Sequence, residues 1–127
     1  MIYGIGTDII AIARIAALWE RYGETFAQRI LATEEWPSFK AQVMPVRFLA
    51  KRFAAKEALA KATGTGLRHP VSLHNISVAH DAAGRPHLCF APELAAWLTQ
   101  QGICRQHLSI SDEKDIATAF VVLEQSV

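Results

Sequence analysis

A chain of 127 residues, 51% of them hydrophobic, is long enough to bury one core and needs no disulfide to close it. A formal net charge of +1 excludes the global positive field of a protein that coats nucleic acid, and no apolar run nears the ~20 residues of a membrane span. The two cysteines, Cys89 and Cys104, lie at no metal-ligand spacing, and the apolar N-terminus carries no basic leader, so the chain reads as a reduced, soluble, cytoplasmic protein with one domain over residues 1–127.

Residues Ile2 to Thr7 are apolar and punctuated by Gly4 and Gly6, which suits a strand. Beyond Asp8, the residues Ile9, Ile12, Ile15, Ala16 and Trp19 recur at helical spacing. A helix is expected from about Ile9 to Arg21, stopped by Gly23, with Asp8 placed as its N-cap. A short helix follows from about Glu24 to Leu31, and Thr33 looks like the N-cap of another that Pro37 limits. The longest helical candidate is Val46 to Thr63, ending at Gly64-Thr65-Gly66. The second half changes character. Asn75 to Ala79 and Pro86 to Phe90 read as a hairpin around the turn Asp81–Gly84, and Pro92 to Gln100 as a short helix. Gln106 to Ser111 alternates, and Ile116 to Leu123 is apolar on both faces, as a central strand would be. One strand, several helices and then a mostly antiparallel sheet make an α+β domain.

The helix Val46–Thr63 carries most of the chemistry. Between Arg47 and Lys61 it holds five cations, Arg47, Lys51, Arg52, Lys56 and Lys61, against the single acid Glu57. At helical spacing Phe48, Ala55, Ala58, Leu59 and Ala62 face the core, Phe53, Glu57 and Lys61 form a second row, and Arg52 and Lys56 a third. Glu57 and Lys61 suit an ordinary helix-surface ion pair. They also suit a polyphosphate ligand with a divalent cation between it and Glu57, because magnesium commonly takes only one or two protein carboxylates. Asp8 is the natural second carboxylate, and a helix cap by position. Gly4-Ile5-Gly6 invites a dinucleotide-binding reading, but Ile9 stands where the third glycine belongs, so that motif is rejected. The five histidines form no ligand cluster, and no serine or cysteine has the setting of a nucleophile.

Three stretches together resemble the small bacterial phosphopantetheinyl transferases, the holo-acyl-carrier-protein synthases. They are Gly4-Ile5-Gly6-Thr7-Asp8-Ile9, then Arg47 to Ala62 with Gly64-Thr65-Gly66, and His107-Leu108-Ser109-Ile110-Ser111-Asp112-Glu113. The resemblance implies the 4′-phosphopantetheinyl transferase-like fold. It also implies transfer of 4′-phosphopantetheine from coenzyme A to a serine of apo acyl carrier protein, releasing adenosine 3′,5′-bisphosphate. By the same resemblance Asp8 and Glu57 bind Mg2+, Lys61 acts on the pyrophosphate, and a homotrimer shares its active sites between subunits. Coenzyme A contacts are then expected from Arg47, Arg52, Lys56, Lys61, Gly64, Gly66 and His107. An acidic carrier protein would meet Arg14 and Arg21, which share a helix face, and more weakly Arg29. The general base stays open among a metal-bound water, Glu57 and Asp112. The competing reading is a non-catalytic module that binds coenzyme A or a carrier protein, which would not require both carboxylates.

Overall fold

A long helix laid across a three-stranded antiparallel sheet organises the molecule, which the computed structural model describes over residues 1–127. The first half runs β1 (Ile2–Ala11), α1 (Ile12–Tyr22), α2 (Glu24–Ile30), a 3₁₀ turn (Thr33–Glu35), α3 (Trp36–Lys40) and α4 (Pro45–Thr63). After a second 3₁₀ turn (Leu73–Asn75) come β2 (Ile76–His80), β3 (Pro86–Phe90), α5 (Pro92–Gln100), β4 (Ile103–Asp112) and β5 (Ile116–Gln125). The main sheet has the order β1-β5-β4, and β2 and β3 pair as a separate hairpin.

The apolar last strand is central, as its two-sided pattern predicts. Ala117, Ala119, Val121 and Leu123 point to the core, while Phe120 lies on the opposite face and stays 44% exposed. Helix α4 covers the core side with Phe48, Leu49, Ala55, Ala58, Leu59 and Ala62, all buried. Each buried leucine among them contributes about 1.5–3 kcal/mol. Pro45 opens the helix at its first turn, and Gly64 ends it in the left-handed region at φ 82°, its N–H bonding back to the Lys61 carbonyl.

The glycines of β1 explain how close the helix comes. A Cβ on Gly4 would stand 2.1 Å from the Ala62 carbonyl oxygen, and one on Gly6 would stand 1.9 Å from that of Ala58. They are the residues that let a strand backbone touch a helix backbone.

Two boundaries differ from expectation. The helix expected from Ile9 begins at Ile12, because β1 continues through Ala11, pairing Ile9 with Thr118 and Ala11 with Ile116. Asp8 is therefore a strand residue, and the helix N-cap is Ala11, whose side chain makes no capping bond. Thr33 likewise lies inside the 3₁₀ turn, and the N-cap there is Ala32. The isoleucines at 9, 10 and 12 satisfy both periods, and the partner strand that decides between them lies more than a hundred residues away in sequence.

Candidate active site

Residues two apart on a strand share a face, so Gly4, Gly6 and Asp8 all look towards α4. Closing the backbone gap at the glycines brings Asp8 beside the row Glu57 and Lys61. Lys61 Nζ donates to Asp8 Oδ1 at 3.0 Å and to the Thr7 carbonyl at 2.9 Å. The Asp8 side chain is only 15% exposed. The Glu57 carboxyl is pushed above its ordinary range, first by burial and then by the neighbouring Asp8 charge; Lys61 and Arg14 pull the other way. Two neighbouring carboxylates, one of them bonded to Lys61, are an incomplete set of hard oxygen donors. Their chemistry fits a divalent cation such as magnesium.

The cationic stripe does not survive intact. Lys56 is fully buried, and its Nζ donates to Glu35 Oε1 at 2.6 Å and to the carbonyls of Ile30 and Leu73. An ammonium has three donors, so none is left for a phosphate, and the expectation that Lys56 contacts coenzyme A is corrected. Arg52 is buried beside it, its Nε donating to Glu35 Oε2 at 2.9 Å and its Nη2 to the Val78 carbonyl. Burial pulls both cations below their ordinary pKa values, and Glu35 pulls back.

Arg52 also lines a cavity of about 710 Å³, with Arg47, Lys51, Phe48, His80 and Asp112 around it. Arg47 donates from Nη1 to Asp112 Oδ2 and to the Glu113 carbonyl, both at 2.8 Å, and Lys51 stands 3.8 Å from Asp112. Arg47 and Lys51 share this one carboxylate, and Arg52 lines the same cavity. The imidazole of His80 is held below its usual pKa by burial and then by Arg52 and Lys51. A wall of cations beside Phe48 suits an anion attached to a flat apolar group.

The remaining candidates are dispersed. Gly64 and Gly66 lie past the C-terminus of α4, one turn beyond Lys61, at positive φ of 82° and 67°. His107 sits on the outer face of β4, Nε2 2.6 Å from Glu124, away from the carboxylate pair of its own chain. Arg14 and Arg21 are exposed on α1; Arg14 lies near enough to influence Glu57, and Arg21 stacks 5.2 Å from the Tyr22 ring. Sequence reasoning missed Glu35, which looks like a helix-start acid, and the contribution of Lys51 and His80 to the cavity. Nothing local links position 35 to 52 and 56.

Residues 4–121 match the family model of the 4′-phosphopantetheinyl transferase superfamily. The chain is 59% identical over 125 residues to a holo-[acyl-carrier-protein] synthase of Nitrosospira multiformis, covering 98% of this chain and 100% of that protein. A crystal structure of the Neisseria meningitidis enzyme superposes with a TM-score of 0.96 at 54% identity, covering 98% of this chain and 100% of the other. A holo-(acyl-carrier-protein) synthase from Bacillus anthracis, solved in complex with coenzyme A (3′,5′-ADP), superposes at 0.82 with 40% identity and 99% coverage of both chains. With strand, helix and carboxylate pair placed as described, this chain belongs to the 4′-phosphopantetheinyl transferase superfamily and, within it, to the holo-[acyl-carrier-protein] synthases.

Proposed function

We infer that the protein transfers 4′-phosphopantetheine from coenzyme A to a serine of apo acyl carrier protein, releasing adenosine 3′,5′-bisphosphate. The observation that carries this reading is the meeting of Asp8, Glu57 and Lys61, on a strand and a helix that only glycine allows to touch. The reaction needs positioning and charge stabilisation more than a protein nucleophile, since the attacking hydroxyl belongs to the carrier protein. That oxygen bonds to the phosphorus bearing the pantetheine, and the bond from this phosphorus to the bridging pyrophosphate oxygen breaks. Asp8 and Glu57 would hold Mg2+, which when bound neutralises charge on the pyrophosphate oxygens. Lys61 offers its ammonium to the same oxygens, and the backbone at Gly64 and Gly66 admits a close approach.

The cavity supports a second element of the reading. Its cations suit the 3′-phosphate of coenzyme A, and in a homotrimer with shared active sites the nucleotide end would lie in the cavity of one subunit while the pyrophosphate lies at the carboxylates of its neighbour. The outer sheet face offers a surface for such a homotrimer, with Ile5 60% and Ile9 65% exposed beside Phe120.

Mixing the protein with coenzyme A, magnesium and apo carrier protein should add the mass of phosphopantetheine to the carrier, and chelator should stop it. No gain with several carrier proteins, or a gain that ignores chelator, would refute the assignment. The carrier protein is expected on the face of α1 that bears Arg14 and Arg21. Arg14→Glu should raise the KM for carrier protein about tenfold at low salt and flatten its salt dependence. Carrier kinetics unchanged at low salt would remove Arg14 from the docking face.

A further inference from the structure

Glu35 lines neither the carboxylate pair nor the cavity, yet it is 2% exposed and accepts four hydrogen bonds. Its Oε1 takes the Ala32 N–H at 2.9 Å and Lys56 Nζ at 2.6 Å, and its Oε2 takes Arg52 Nε and the Val78 N–H, each at 2.9 Å. One carboxylate thus anchors two cations, and the buried cluster keeps a surplus positive charge. Lys56 has no donor left over. Arg52 does: its Nε and Nη2 are bonded, its guanidinium lies 3.8 Å from the Phe48 ring centre, and Nη1 has no protein partner. No buried side-chain nitrogen or oxygen in the molecule lacks a partner, so Nη1 is reached by solvent, and the cavity is where Arg52 opens.

We propose that Glu35 is a positioning residue for coenzyme A: by gripping Arg52 from behind, it presents the free guanidinium edge to the 3′-phosphate in the cavity. This rests on the assignment of the cavity to the nucleotide end. A guanidinium fixed along one edge keeps the other in place before the phosphate arrives, so little order is lost on binding. Without that grip Arg52 would keep only its bond to the Val78 carbonyl, and its free edge would no longer be held towards the cavity.

The test compares KM for coenzyme A and for 3′-dephospho-coenzyme A, which lacks the phosphate in question. KM does not depend on how much of a variant is folded, so a purely structural loss does not mimic the effect. In the wild-type enzyme, coenzyme A should have the lower KM. Glu35→Gln should raise KM for coenzyme A roughly tenfold and leave that for the dephospho donor within about twofold. In an Arg52→Met background the same substitution should change neither value further, because the two residues act as a unit. If Glu35→Gln does not fold, Glu35→Asp keeps the charge but withdraws it by one methylene, and a smaller rise confined to coenzyme A is expected. Equal rises for both donors, or additive effects of positions 35 and 52, would overturn the role of Glu35. A wild-type enzyme indifferent to the 3′-phosphate would instead overturn the cavity assignment and this proposal with it.

Discussion

Glu57→Gln lowers the turnover of phosphopantetheine transfer by at least about a hundredfold, yet leaves the folded protein as stable as before or slightly more so. The two effects diverge because of what raises the Glu57 pKa. Burial disfavours its charge, and Asp8 adds repulsion that Lys61 and Arg14 only partly offset. The folded carboxyl binds its proton more tightly than the unfolded one. Between the ordinary carboxylate range and the raised folded value, the folded state therefore holds more protons, and stability falls as pH rises through that window. The amide cannot ionise, so this component of the pH dependence disappears from the variant. It also removes one of the two charged oxygen donors on which the proposed metal site depends. Thermal melting of the protein without substrate across the acid range, set beside initial rates with saturating coenzyme A and magnesium, checks both halves. A variant with wild-type turnover would take Glu57 out of the reaction, and an unchanged pH slope would mean that its proton affinity is not raised.

The parts of the site written within one element were legible in the sequence. The row Phe53, Glu57 and Lys61 and the core row of α4 followed from helical spacing alone, and the glycine stop after Thr63 ended the helix where it does end. What spacing could not supply was the third dimension. Helical spacing puts Arg52 and Lys56 in one row of a cationic stripe, but Glu35, which draws them inward, approaches from a different element. Asp8 was a reasonable helix cap until β5 paired with β1 and extended the strand past it. His107 and the cavity cations are separated from the carboxylates by the sheet or by the length of α4, so no local pattern joins them. The expectation that Asp8 and Glu57 share one metal ion came from the cations around Glu57 together with the resemblance to a family.

Gly6→Ala should be the most destructive single methyl in the molecule. Its Cβ would lie 1.9 Å from the Ala58 carbonyl oxygen and 2.7 Å from the Ala62 nitrogen. Both are backbone atoms of α4, so no rotamer change relieves the clash, and strand and helix must move apart. Overpacking of this kind costs about 3 kcal/mol or more. For a domain of this size that lowers the melting temperature by roughly 10 °C. The damage reaches the chemistry because Asp8 is the next residue on the same face of β1, and its bond to Lys61 depends on the approach that Gly6 permits. Activity per folded molecule should therefore fall together with stability. Gly102→Ala, away from the carboxylates and the cavity, is the matched control. Its φ of +80° makes alanine strained, but nothing lies within 4 Å of the added carbon. That substitution should cost about 1 kcal/mol and leave the specific activity intact. Parallel melting curves and active-site-normalised rates separate the two cases. If Gly6→Ala melted no lower than Gly102→Ala, the close contact between β1 and α4 would not be what holds the carboxylate pair together.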